Sequence, residues 1–255
     1  MTLLFSPSEG KNTPDFQGFV QFSAPLKYLF STKTYKQNAL SAYLHALKES
    51  SQKELLSFFG AKELDLQTLS LCQNLLTLPR IEAIKLYSGV AYKALGFESL
   101  PKNAQNFLYE NLFIFSNLFG TIRASDAIPF YNLHQNKGKG AFSLKTLFKA
   151  QDSDLHTFLQ TRQTRIENQI IDLRAEIYIK VAPIALPHTQ IEFLKNNKKL
   201  SHSSKFYRGI YARELALKGK NLTLESLERV KFENLEFVGK EHQNARTILR
   251  YEIVT

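Results

Sequence analysis

Apolar residues along this chain fall into short unbroken runs separated by longer amphipathic stretches. Thr2 to Phe5 is one such run, long enough for a buried strand and ended by the Ser6-Pro7 turn. Leu112 to Phe115, Gln169 to Leu173 and Thr189 to Leu194 repeat the pattern, and the chain closes with strand patterns at Glu236 to Val238 and Thr247 to Val254. Between them the spacing turns helical, from Tyr35 to Lys48, Gln52 to Phe59 and Leu64 to Leu76. Ile81 to Leu95 reads as one or two helices interrupted at Ser88-Gly89, and Pro101 opens a helix through Tyr109. Leu144 to Lys149, Leu155 to Arg165 and Leu224 to Val230 are further helical patterns. Strands alternating with helices predict an α/β fold: a single compact unit spanning 1–255, with a mixed, largely buried sheet flanked by helices. A helical lobe over 35–110 is an option within it.

One helical pattern stands apart. Ser201 to Leu217 begins with serines suited to N-caps and is apolar around most of its circumference. At about 100° per residue, with Lys205 set at zero, Arg208 falls near 300° and Arg213 near 80°. Gly209 and Ala212 lie between them. A mostly apolar helix belongs in the interior, and arginines there need partners. Either carboxylates of the same chain satisfy them, or the stripe lines a basic cleft and meets an anion.

Charge sharpens this picture. The 255 residues carry 33 Lys plus Arg against 23 Asp plus Glu, a net charge of +10. From Met1 to Gly120 there are 11 basic and 9 acidic residues, a surplus of 2; from Thr121 onward 22 and 14, a surplus of 8. Lys195, Lys198, Lys199, Lys205, Arg208 and Arg213 lie between Glu192 and Glu214 with no acid among them. Clustering of this kind is the footprint of phosphate binding, although Lys195, Lys198 and Lys199 also suit a solvated loop.

Other chemistry is mostly excluded. Gly10-Lys11 follows the first strand, but Phe5 and Asn12 stand where a phosphate loop needs Gly and Ser or Thr. The six histidines make no close ligand pair, so no metal site and no cofactor is expected; His202 suits a cap-region hydrogen bonder. Cys72, the single cysteine, sits in an apolar helical stretch and reads as core. No signal peptide or membrane span is evident, so a cytoplasmic protein without membrane contact is expected. Arg123 and Asp126 lie just past a strand, as do Asp172, Arg174 and Glu176, where they either lock loops by ion pairing or serve a ligand. Leu86 to Leu95 holds a turn of the Gly-Val-Ala type that suits a hairpin offering backbone N–H groups to a DNA phosphate, and equally suits two packed helices.

The ordered set of motifs resembles the YaaA family, the bacterial peroxide stress response family. The residues concerned are Ser6-Pro-Ser-Glu-Gly-Lys11, Leu118 to Asp126 with Ile128 and Tyr131, Asp172-Leu-Arg174 with Tyr178, and Ser201-His202 with Lys205, Arg208, Gly209 and Arg213. Asn132 and Asn12 depart from the pattern, standing where Arg, and Thr or Arg, are common. The resemblance spans Leu3 to Ile253. It implies a basic cleft, a helix-hairpin-helix-like element, binding to duplex or distorted DNA, and a role in limiting peroxide damage by lowering free iron. Nothing in the residues themselves looks like an iron site.

Together these readings favour a DNA-binding stress protein. Lys11, Arg123, Lys205, Arg208 and Arg213 would contact phosphates, with Lys139, Arg174 and Lys199 as weaker candidates. Ser6, Glu9, Asp126, Tyr131, Asp172, Arg174, His202 and Gly209 would support them. Contacts of this kind carry no sequence code, so binding should be largely sequence-tolerant. The competing expectation is an enzyme acting on a nucleotide or a damaged base, with Glu9, Asp126 or Asp172 doing acid–base work beside a phosphate.

Overall fold

The computed structural model describes residues 1–13, 29–30, 34–166, 169–200, 204–219, 224–229 and 234–254. Strand β1 (Thr2–Phe5) is followed by helices α1 (Thr34–Glu49), α2 (Gln52–Phe59) and α3 (Leu66–Gln73). Next come β2 (Arg80–Glu82), α4 (Ala83–Leu86), α5 (Val90–Leu95) and α6 (Lys102–Asn111). Three strands follow, β3 (Leu112–Ser116), β4 (Gly120–Arg123) and β5 (Ala127–Pro129), then α7 (Leu144–Ala150) and α8 (Asp152–Ile166). The remainder is β6 (Ile170–Asp172), α9 (Glu176–Val181), β7 (His188–Lys195), β8 (Lys198–Lys199), α10 (Ser204–Lys218), α11 (Leu224–Arg229), β9 (Leu235–Gln243) and β10 (Arg246–Ile253). The α/β class and the buried, mixed sheet are as the sequence predicts. Among the described residues no helix is long and apolar enough to cross a membrane.

Local chemistry explains several boundaries. Ser51 caps α2 through a reciprocal pair with Glu54, and Gly60 ends the helix at φ 62°, a left-handed conformation that glycine adopts without steric cost. Asp65 caps α3 by accepting from the amides of Gln67 and Thr68.

The fold divides into two compact units. The first comprises Met1–Ser6, Val90–Phe113 and Leu155–Thr255, the second Pro7–Gly89 and Ile114–Asp154. The helices expected as a lobe over 35–110 are shared out, α1 to α4 in the second unit and α5 and α6 in the first. In the first unit the strands run in the order β1-β6-β7-β10-β9, with β8 paired to β7. The β1/β6, β6/β7 and β7/β10 pairs are parallel, and β9 and β8 add antiparallel partners. Leu3, Leu4, Ile170, Ile171, Ile191, Phe193, Leu249 and Tyr251 are buried along them, the near-continuous apolar strand that a doubly covered parallel sheet requires. In the second unit β2 pairs with β5 in antiparallel register.

Helix α10 buries only part of its apolar circumference, Tyr211 and Leu215 included. Phe206 and Leu217 are 45% and 41% exposed, whereas Gly209, Ala212 and Ala216 are buried. The small residues form the surface against which α5 lies: a Cβ at position 209 would stand 2.0 Å from the Ala91 carbonyl oxygen and 2.9 Å from the Ala94 Cβ. Close helix approach explains the glycine and the alanine better than a ligand floor does.

In α1, Lys36 shares the buried stripe with Ala39, Tyr43 and Leu47, and is itself 1% exposed. Its ammonium donates to the carbonyls of Leu29 and Thr121. Burial lowers its pKa to about 7, against the opposing charge of Asp126. Between pH 7 and 10 the folded amine is therefore mostly neutral while the unfolded one is protonated, so the unfolded state binds more protons and stability from this group rises with pH. Urea midpoints measured from pH 7 to 10 should rise more steeply in the wild type than in Lys36→Met.

Candidate functional site

Parallel pairing brings the ends of β1 and β6 to the same edge of the sheet, since Leu4 stands opposite Asp172. The carboxyl ends of strands are where α/β folds place ligands. Just beyond, the Leu173 amide donates to Leu4 O at 2.9 Å and the Ala175 amide donates to Ser6 Oγ at 2.7 Å. Ser6 thus ties the first loop to the Asp172-Leu-Arg174 turn.

Within that turn Asp172 and Arg174 are paired and fully buried. Arg174 Nε donates to Asp172 Oδ1 at 2.8 Å and Nη2 to Oδ2 at 2.7 Å, the two-pronged geometry that suits guanidinium to carboxylate. Nη1 donates to Ala182 O at 2.8 Å, fixing the end of α9. Burial alone would raise the Asp172 carboxyl, but the Arg174 charge and hydrogen bonds outweigh it and hold the pKa below the usual value. The structure therefore spends Arg174 on the fold.

Arg208 is different. It lies on the packed face of α10, flanked by buried Gly209, Tyr211 and Ala212, and is itself half-buried. Burial lowers its pKa, with the charges of Asp172 and Glu176 opposing. Asp172 has both oxygens engaged by Arg174. Among the described residues Arg208 makes no hydrogen bond or ion pair, a costly state for a desolvated cation.

The neighbouring cations divide in the same way. Arg213 Nη1 donates to the carbonyls of Leu95 and Gly96 at 3.0 and 3.2 Å and to Ser99 Oγ at 3.0 Å, so it caps the end of α5. Lys199 pairs with Glu192 at 2.6 Å. Lys195, Lys198 and Lys205 are exposed. His202 and Ser201 lie outside the described residues.

The second unit holds the other predicted residues. Ser88 N donates to Gly10 O at 2.9 Å and Asn12 N to Leu86 O at 2.8 Å, so Lys11 is bridged to Tyr87 in antiparallel fashion. Lys11 Nζ stands 4.4 Å from the Tyr131 ring centroid and 5.7 Å from that of Tyr87, and donates to Glu9 O at 3.2 Å. The Tyr131 hydroxyl is held by Tyr87 at 2.8 Å and Ser116 at 2.9 Å. Burial lowers the Lys11 pKa to about 8, with Cys72 and Glu9 opposing. Burial also raises the Cys72 thiol to about 11, in keeping with its reading as core. Glu9 Oε1 meets His134 Nε2 at 3.0 Å.

Arg123 and Asp126 close a turn after β4. Asp126 Oδ2 accepts from the amides of Arg123 at 2.8 Å and Leu29 at 3.0 Å, while Oδ1 lies 3.4 Å from Arg123 Nη1. The Arg123 side chain remains 46% exposed. Lys139 pairs with Glu54 at 2.8 Å. Among the described residues no group of three His, Cys, Asp or Glu could hold a metal ion. Tyr87 and His134 are partners that sequence reasoning passed over. Tyr87 does adjoin the Ser88-Gly89 turn, whereas no local signal marks His134.

A family model described as peroxide stress protein YaaA matches residues 1–241. The chain belongs to this YaaA family. An uncharacterized protein of Campylobacter jejuni is 34% identical over 258 residues, 98% of this chain and 100% of the relative. A UPF0246 protein of Corynebacterium glutamicum is 33% identical over 202 residues, 75% of this chain and 76% of that protein. A third relative, a UPF0246 protein of Corynebacterium efficiens, is 32% identical over 232 residues and 88% of each chain. Membership in the YaaA family supports a role in peroxide stress.

Proposed function

We propose that this YaaA-family chain binds DNA, duplex or distorted, through phosphate contacts, and thereby helps to limit oxidative damage. The observation that carries the reading is Arg208, a desolvated guanidinium with no hydrogen-bond partner among the described residues. A phosphate oxygen would supply the missing acceptors in a charge-assisted geometry. Lys205 is an exposed cation three residues earlier on the same helix, and Lys195 and Lys198 extend the positive surface of that unit. Cations spread over that length suit a repeating polyanion better than one small anion. In the other unit Lys11 is a further candidate, and Arg123 is 46% exposed although its Nη1 also meets Asp126 Oδ1 at 3.4 Å. Arg213 takes a supporting part, because its Nη1 is engaged by the end of α5. The pairing of Lys139, Arg174 and Lys199 with carboxylates ranks them below the rest.

The alternative, acid–base catalysis by carboxylates beside a phosphate, has less to work with. Asp172 is committed to Arg174, and Asp126 accepts from two backbone amides. Titrating a labelled duplex with the full chain at several salt concentrations tests the proposal. Affinity should fall linearly on a log–log plot, with a slope of about 0.9 per phosphate neutralised. Lys205→Ala should make that slope shallower by about one. Affinity that does not change with salt would contradict phosphate binding.

A further inference from the structure

Lys11 combines features that phosphate binding alone does not require. Its backbone is fixed by the bridge to Tyr87, and its amine lies over the Tyr131 ring, whose hydroxyl is held on two sides. The amine has one hydrogen-bond acceptor, Glu9 O, and no carboxylate within ion-pair distance among the described residues. A lysine held for charge alone gains from a nearby carboxylate and full hydration. One pressed against aromatic faces gives up hydration and gains nucleophilicity. With its pKa lowered by burial to about 8, roughly a tenth of the amine is free at pH 7, compared with well under a thousandth for an ordinary lysine.

Beside it stands a proton-handling pair. His134 Nδ1 faces the Gln135 carbonyl at 2.9 Å and so carries a hydrogen, while Nε2 faces Glu9 Oε1 at 3.0 Å. Glu9 and His134 thus form a carboxylate–imidazole pair, two groups able to accept a proton and pass it on. Both are partly exposed, at 44% and 30% of their side-chain surfaces.

We propose that Lys11 forms an imine with an aldehyde, and specifically with the ring-opened deoxyribose at a base-free site in DNA; this rests on the DNA-binding reading. Intact DNA has no aldehyde, whereas loss of an oxidised base leaves one at C1′. The Nζ lone pair attacks C1′, the carbinolamine loses water, and a C=N bond replaces C=O. The protonated imine acidifies C2′. The C2′ proton passes to the Glu9–His134 pair, the bond from C3′ to the 3′-phosphate breaks, and the phosphate leaves with the electron pair. Water then hydrolyses the imine and frees Lys11. The sequence needs no oxidant or reductant.

Reductive trapping tests this directly. The full chain is mixed with a labelled duplex holding one base-free site and treated with cyanoborohydride, and the adduct is mapped by mass spectrometry. Binding to the same duplex is measured separately by anisotropy. The expected result is an adduct on Lys11 that forms with a pH midpoint near 8, is lost in Lys11→Arg and persists in Lys62→Ala. Bound duplex without adduct, or an adduct on other lysines that survives Lys11→Arg, overturns the inference while leaving DNA binding intact. Absence of duplex binding, with Lys11 trapped only by free deoxyribose 5-phosphate, overturns both the DNA reading and the base-free-site assignment.

Discussion

Asp172→Ala is expected to destabilise the protein by about 3–5 kcal/mol, the cost of leaving a buried cation without its counter-charge. Asp172 and Arg174 are each fully buried, and the carboxylate takes three donations from Arg174, two from the guanidinium and one from the backbone amide. No water can replace the carboxylate without opening the end of β6. The loss should appear as a lower urea midpoint with little change in the slope of the transition. The pH dependence follows from the same pair. Because the folded carboxyl titrates below its unfolded value, its stabilisation is complete above about pH 4 and disappears as pH falls through the lower folded value. Asp172→Asn should flatten that acid limb. A variant as stable as wild type would show that the pair contributes nothing to folding.

Arg208→Ala should do the opposite. Its guanidinium is desolvated and makes no hydrogen bond or ion pair among the described residues, so removing it takes away a cost and leaves stability equal to or above that of wild type. Duplex affinity should fall by about tenfold to a hundredfold, since charge-assisted hydrogen bonds are worth roughly 1.5–3 kcal/mol. Two arginines that both feel the charge of Asp172 would thus be separated by role, Arg174 holding the fold and Arg208 serving the proposed ligand. A variant that loses affinity only because it unfolds would lose both properties together.

Much of the fold was legible in the sequence. Apolar residues marked β1, β3, β6 and β7 to within a residue or two at either end; β1 and β3 read as nearly unbroken buried runs, whereas Asp172 ends the run of β6 and Gln190 and Glu192 interrupt that of β7. The short strands β4 and β5 were not legible: Gly120-Thr-Ile-Arg123 and Ala127-Ile-Pro129 are too brief for periodicity to register. Helix α9 was hidden by Glu176-Ile-Tyr-Ile-Lys-Val181, whose β-branched residues alternate as a strand would. Helix α10 was predicted as a helix, but a pattern apolar around most of its circumference cannot say which face packs. Tertiary contact with α5 chose the small residues and left Phe206 and Leu217 facing water.

The candidate site was legible as a set of residues and not as a division of labour. Sequence order placed Lys11, Asp172 and Arg208 among the candidates, yet only geometry shows Arg174 and Arg213 engaged within the chain. It also shows Lys11 against two tyrosines far away in sequence. Partners chosen at separations of dozens of residues leave no local trace. Lys36 is the contrary case: helical spacing puts it on the buried stripe of α1, and only its charge argues for exposure.

The most direct test of DNA binding through Arg208 is the salt dependence of duplex affinity in Arg208→Ala beside wild type, both shown to be folded. Arg208→Ala should bind more weakly at every salt concentration, with a log–log slope shallower by about one. Superimposable lines would contradict DNA binding through Arg208.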